Sequence, residues 1–229
     1  MTPFLLVSLI FFVLWLVLFL FSNQTRREQF IMSVVGLILS PGILIISAND
    51  YRNIISTQAS VIGIEDLIFA FAFFGISAVI YQVLLGKHIH KLRGSRFELK
   101  HAGHWIGHLV LIIALWAFAT LLMMDVFVLA SVQAGIVGGL LIGIYIIADR
   151  HDLTMNALLS GLFMAILIFI LEQIFFVRLF PIPAETFWQW NSLSTFVIGG
   201  IPLEELMWAA VVGFAIGPLY EWLRGNQLK

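Results

Sequence analysis

Seven stretches of the chain stay apolar for about the length of a membrane crossing, and the polar residues gather mostly between them. A spanning helix needs ~20 predominantly apolar residues. The stretches at 3–22, 30–48, 61–85, 104–124, 128–148, 153–178 and 196–223 meet that length and predict seven transmembrane helices. The connections are short apart from 86–103 and 179–195, which leaves no room for a separate soluble domain. Met1-Thr2-Pro3 carries no basic run, so the first stretch reads as a helix that stays in the membrane rather than as a leader. Composition agrees. Of 229 residues, 61% are hydrophobic and only 11% charged, too few to cover a surface facing water. There is no cysteine, which excludes disulfides, thiolate metal sites and cysteine nucleophiles.

Lys and Arg set the expected orientation, because cytoplasmic loops carry the excess of basic residues. Arg26, Arg27, Lys87, Lys91, Arg93, Arg96, Lys100, Arg150, Arg224 and Lys229 fall on one side, ten of the twelve in the chain. Arg52 and Arg178 fall on the other. A multi-pass protein of the cell membrane follows, with its N-terminus outside and its C-terminus cytoplasmic. Most of the acidic residues gather at the opposite face. Asp50, Asp125 and Glu185 lie in or near the outer loops, Glu65, Asp66, Glu204 and Glu205 near the outer ends of the third and seventh helices, and Glu172 in the outer half of the sixth.

The chain echoes itself. Ile62–Gly86 aligns with Ile201–Gly225 at an offset of 139, with seven identities in 25 positions, Glu65/Glu204 and Gly86/Gly225 among them. Asp66/Glu205 and Phe69/Trp208 are chemically close. A weaker echo joins Arg27–Ser33 to Arg150–Asn156. The expected fold is therefore an all-α membrane protein with seven helices in a 3+1+3 arrangement. Repeat one covers 3–86, a linker helix 104–124, and repeat two 128–225. One linker helix leaves both repeats facing the same way, related by an axis along the membrane normal.

Two carboxylates side by side, twice, are costly in hydrocarbon, at ~2.5–3.5 kcal/mol for each such group on insertion scales. Adjacent carboxylates tend to share a proton, which makes one a donor and the other an acceptor. Glu65 and Phe69 are four residues apart, as are Glu204 and Trp208, so each glutamate stacks with an aromatic ring on one helix face. The ring can stabilise a cation. An acid, a base and a π-face suit carbocation chemistry. The bland alternative is that the four carboxylates mark a membrane boundary at helix N-termini.

Pro202-Leu203-Glu204-Glu205-Leu206-Met207-Trp208 resembles the Pro-x-Glu-Glu-x-x-aromatic motif of the flavin-free, integral-membrane lycopene cyclase domain family. Trp190-Asn191 and Gly199-Gly200 are similar to that family's approach to the motif. Gly63-Ile64-Glu65-Asp66-Leu67-Ile68-Phe69 is a relaxed first copy, and Asn49-Asp50 stands where the family has Trp-Asp. The resemblance implies a redox-neutral cyclisation of a carotenoid end group, with no cofactor and no metal. A carboxylic acid protonates the terminal double bond, the cation closes a six-membered ring, and a carboxylate removes a proton. It implies Glu65, Asp66, Glu204 and Glu205 as catalytic residues, with Glu204 or Glu65 as acid and Glu205 or Asp66 as base. Phe69, Trp208, Trp188 and Trp190 would flank the cation, and Asp50 and Glu172 complete the expected substrate-binding set. The expected partners are a lipophilic polyene or isoprenoid and the bilayer, with self-association or a complex with other carotenoid enzymes left open. No nucleic acid is expected.

Other signals have ordinary readings. His101, His104 and His108 share a helical face at an interface beside Lys100, and His88 and His90 sit in the basic loop Lys87–Lys100, which suits anionic headgroups. Gly135, Gly138, Gly139 and Gly143 have the spacing of close helix packing. No histidine follows Glu205, which argues against an intramembrane metalloprotease, and no glycine loop for a nucleotide is present. Two other functions fit the layout: a small 3+1+3 transporter using intramembrane carboxylates, and a non-catalytic carotenoid-binding protein. The carboxylates cluster at one leaflet rather than at the midplane, which favours the enzyme. The orientation has a direct check: a reporter fused after Lys229 is expected to score as cytoplasmic, and an exported signal would overturn the assignment.

Overall fold

The computed structural model describes residues 3–48, 50–51, 62–87, 89–91, 102–181 and 187–228, with backbone alone for 3, 89–91, 102–104 and 227–228. Asn49, Arg52, His88, Arg93, Arg96, Lys100, His101 and Glu185, all named above, lie outside the described residues, as do the side chains of His90, Lys91 and His104.

The architecture is all α. The helices are α1 (Pro3–Phe21), α2 (Arg26–Ser47), α3 (Ile64–Leu85), α4 (Ala102–Phe127), α5 (Ser131–Asp149), α6 (Thr154–Glu172), α7 (Leu203–Ile216) and α8 (Leu219–Arg224). A π-helical run, Gln173–Leu179, continues α6, and α7 and α8 form one crossing broken at Gly217-Pro218. Among the described residues, seven helices are long and apolar enough to cross a membrane, which makes this a multi-pass membrane protein.

Two boundaries differ from the sequence expectation for identifiable reasons. The second crossing begins at Arg26 rather than 30, because Glu28 and Gln29 are buried and bonded rather than solvated. Gln29 Nε2 donates to the Trp15 carbonyl at 2.8 Å. The seventh begins at Leu203 rather than 196. Strands β2 (Val197–Ile198) and β3 (Ile201–Pro202) form a hairpin there, closed by Gly199 and Gly200. Both glycines have positive φ, +62° and +92°, the geometry a two-residue hairpin turn needs.

The helices α3 and α7 are the most buried of the crossings, and α4 faces lipid along most of its length. The helix α3 packs against α1, α2, α6 and α7, while α7 packs against α5 and α6, and α4 leans on α5. Glycines permit the closest approaches. A Cβ on Gly139 would meet Val211 and Trp116, whereas one on Gly135 would meet nothing.

At their C-terminal ends α3 and α8 are tied together. Gln82 Nε2 donates to Glu221 Oε1 at 2.5 Å and to both oxygens of Glu28 at 3.1 Å. All three residues are almost wholly buried. Gly86 and Gly225 cap α3 and α8 in the same left-handed conformation, φ/ψ 61°/32° and 63°/34°. Beyond them β1 (Ile89–Lys91) pairs antiparallel with β4 (Asn226–Leu228), with Ile89 opposite Leu228.

Gly75 tests the packing that holds α3. A Cβ there would land on Ser33 Oγ and Trp15 Nε1, which are hydrogen-bonded to each other at 2.8 Å. Gly75→Ala is expected to destabilise the fold by about 1–3 kcal/mol, as overpacking does. Thermal unfolding in detergent checks it, and an unchanged midpoint would show that the contact yields freely.

Candidate active site

From the N-terminal ends of α3 and α7, an apolar cavity of about 260 Å³ runs along the helices among α1, α2, α3, α4, α5, α6 and α7. Among the described residues, three carboxylic side chains reach it: Asp66, Glu172 and Glu205. Tyr51 also lines it, and most of the rest is hydrocarbon and aromatic ring.

Each acidic pair contributes one member. Adjacent residues on a helix point about 100° apart, so both cannot face one cavity. Asp66 and Glu205 line it, while Glu65 and Glu204 are buried without lining it. Glu204 Oε1 instead accepts from the Ser194 backbone N–H at 2.6 Å, which ties the start of α7 to the preceding segment. The rings follow the inner carboxylates. Phe69 and Trp208 line the cavity, three residues after Asp66 and Glu205 rather than sharing it with the glutamates four residues before them.

The residues before the two helices explain why the two carboxyl groups differ. Gly63 precedes α3 and offers its backbone N–H to Asp66 Oδ2 at 2.9 Å, half of a capping box, since glycine has no side chain to reciprocate. Pro202 occupies the same position before α7 and has no N–H. Glu205 cannot fold back on its own helix terminus, and its Oε2 accepts instead from the Tyr51 hydroxyl and from Trp188 Nε1 at 3.2 Å. Tyr51 is held in turn: Gln189 N donates to the Tyr51 carbonyl at 3.0 Å, and Gln189 Nε2 to the Ala48 carbonyl at 3.3 Å. Glu172 is almost fully buried, and its Oε2 has no partner among the described residues.

The aromatic wall is built by stacking. Phe73 and Trp208 lie 4.7 Å apart at 20°, Phe69 and Phe73 5.2 Å apart at 21°, and Phe69 and Trp208 6.3 Å apart at 21°. Phe4 and Phe187 extend the wall across α1 and the segment before Trp188.

The other expected site residues are placed elsewhere. Trp188 is buried behind Glu205, and Trp190 stands edge-on to Trp188 at 5.6 Å and is 39% exposed. Asp50 accepts from Ser131 N at 2.7 Å and from Ser131 Oγ, so it caps the start of α5. Tyr51 was not expected in the site. Its neighbour Asp50 drew attention through the family motif, and nothing in sequence spacing marks a tyrosine 154 residues away as the donor to Glu205.

Residues 108–223, half of the chain, match the family described as Lycopene cyclase, and the chain belongs to the lycopene cyclase family. Membership implies carotenoid cyclase activity, an enzyme of the isomerase or lyase kind, and a carotenoid substrate. The match includes Glu172, Trp188, Glu205 and Trp208 but stops short of Tyr51, Asp66 and Phe69. No curated protein and no solved structure matches the chain.

The capping geometry of Asp50 yields a check. Asp50→Ala is expected to cost about 1 kcal/mol of stability, the usual loss for an N-cap acceptor. Asp50→Asn should recover part of it. Equal melting of wild type and Asp50→Ala would show that the cap contributes nothing.

Proposed function

We propose that this protein cyclises the acyclic end group of a linear carotenoid in the cavity between α3 and α7, by proton transfer without net redox change. The observation that carries the reading is the placement of Glu205 and Asp66 on one apolar, aromatic-walled cavity, each in a different hydrogen-bonding environment. Family membership supplies the substrate class.

Glu205 is the acid. Two donors on Oε2 leave Oε1 to carry the proton. That proton adds to the terminal double bond of the end group and leaves a tertiary cation. The next double bond attacks it, a carbon–carbon bond closes the six-membered ring, and the charge moves to the ring. The stacked faces of Phe69, Phe73 and Trp208 stabilise this charge through their quadrupoles. Asp66 is the base. Its Oδ2 accepts the Gly63 backbone N–H, which holds the carboxylate at the cavity. It removes a ring proton and leaves a cyclic alkene. One proton enters and one leaves, so the product is an isomer of the substrate, and return of the proton to Glu205 completes the cycle. This assignment narrows the four expected catalytic residues to two, with Glu172 lining the same cavity. The apolar lining speaks against a transporter of hydrophilic solutes.

The wider arrangement follows the same reading. We take the chain as two parallel repeats related by a two-fold axis along the membrane normal, with the N-terminus outside. Supporting it are the identical caps at Gly86 and Gly225, the bond between Gln82 and Glu221, and the pairing of Ile89 with Leu228, each pair 139 residues apart.

The test is expression in cells that accumulate lycopene, followed by chromatography of the pigments. Cyclic carotenoid is expected with the wild type. Glu205→Gln and Asp66→Asn should each lower turnover by about 10²–10⁴, the usual worth of a general acid or base. Glu65→Gln should cost less than Asp66→Asn. If only lycopene accumulates while folded protein is in the membrane, the cyclase assignment fails.

A further inference from the structure

We infer that the polyene enters the site sideways from the bilayer, through a slot between α2 and α4, and lies lengthwise along α2 and α7 with one end at a time among the carboxylates. This rests on the cyclase reading and adds the route, the posture and the order of the two ends.

Size makes the first argument. A cavity of about 260 Å³ is smaller than the ~300–1,000 Å³ of sites that enclose a drug-sized ligand. A linear carotenoid has a backbone about as long as the hydrocarbon core is thick, ~30 Å. It cannot be enclosed here, so part of it stays outside the cavity while an end reacts.

Shape makes the second. The lining runs from Val35 to Ser47 on α2 and from Glu205 to Ile216 on α7, roughly 16–18 Å along the helices at 1.5 Å per residue. A space so long for its volume is narrow, the form of a chain rather than of a compact solute. Its carboxylates, Asp66, Glu172 and Glu205, lie towards one end, and the lining residues near Ile142 and Ile216 are hydrocarbon. A second reacting end has no acid waiting for it.

The opening is the third. Ile43 of α2 and Ala117 of α4 both line the cavity and are both exposed, Ile43 to 42%. The helix α2 packs along α3 and touches α5 at only a few residues, α4 packs along α5, and α2 and α4 do not pack along each other. The wall of the slot on α2 is itself loosely built. Pro41 removes the N–H that would serve the Leu37 carbonyl, and the Ser40 hydroxyl serves it instead at 3.0 Å. A Cβ on Gly42 would touch nothing.

One end per visit has a kinetic consequence. A two-ringed product requires release of the one-ringed carotenoid into the bilayer and its return end for end.

The chain has no cysteine, so Ile43→Cys with Ala117→Cys places a unique pair across the slot. The double variant is joined by a thiol-cleavable bifunctional methanethiosulfonate reagent in phosphatidylcholine vesicles containing lycopene. Two readouts are taken: quenching of tryptophan fluorescence as the polyene loads, and formation of cyclic product. Joining is expected to slow both about tenfold, as when the binding-competent state is populated one time in ten, with recovery on reduction. Ala117→Trp should raise KM and leave kcat near wild type, and Ala114→Trp, on the lipid face of α4 outside the cavity lining, should do neither. Unchanged loading in the joined protein, or equal effects of the two tryptophans, overturns the slot. Two-ringed product appearing without a preceding free one-ringed pool overturns the one-end order. Loading that the link blocks, without cyclic product from any form, keeps the slot and removes the cyclase reading.

Discussion

A polar group carried into hydrocarbon must find its partner inside the protein, because no water is there to provide one. This chain buries Glu65, Asp66, Ser77, Gln82, Glu204, Glu205 and Glu221 on α3, α7 and α8, and the partners of its buried polar groups dictate much of the architecture. Gln82 must reach both Glu28 and Glu221, which brings the C-terminal ends of α3 and α8 against the start of α2. Ser33 must reach Trp15, which seats α1 against α2 with Gly75 beneath them. Glu205 must reach Tyr51 and Trp188, which brings the segment after α2 and the segment before α7 together over one cavity. Hydrocarbon packing is permissive in a bilayer, whereas hydrogen bonds of this kind admit few geometries.

The same constraint separates the two members of each acidic pair. One carboxylate of each pair joins the cavity and the other is turned from it, tied in the case of Glu204 to the chain beside it. A single backbone difference then gives the cavity members unlike character. Gly63 has an N–H to give and Asp66 takes it, whereas Pro202 has none and Glu205 looks elsewhere. Two carboxyl groups in unlike surroundings are what acid and base work on one substrate requires.

Hydropathy made the helices legible because length in hydrocarbon is a blunt requirement, and the seven expected crossings correspond to seven in the structure. The ends were less legible. Glu28 and Gln29 look like loop residues until Gln82 and the Trp15 carbonyl are seen to receive them. The stretch 196–202 is apolar enough for a helix, but Gly199-Gly200 bends it into a hairpin. At the site, the motif located both acidic pairs but not which member faces inward, since that depends on the rotation of each helix about its axis. Spacing by four suggested the glutamates as ring partners, whereas Phe69 and Trp208 line the cavity together with Asp66 and Glu205, three residues before them. Tyr51 was invisible because its role depends on a contact far away in sequence.

The knot formed by Gln82, Glu28 and Glu221 sits at the far end of α3 from Asp66, together with the β1–β4 ladder. Sixteen residues of helix separate Gln82 from Asp66, roughly 24 Å at 1.5 Å per residue. The bundle is thus fastened at one end and loaded at the other, like a clothes-peg. A splay of about 5° at the fastening would part the carboxylates by about 2 Å over that lever arm.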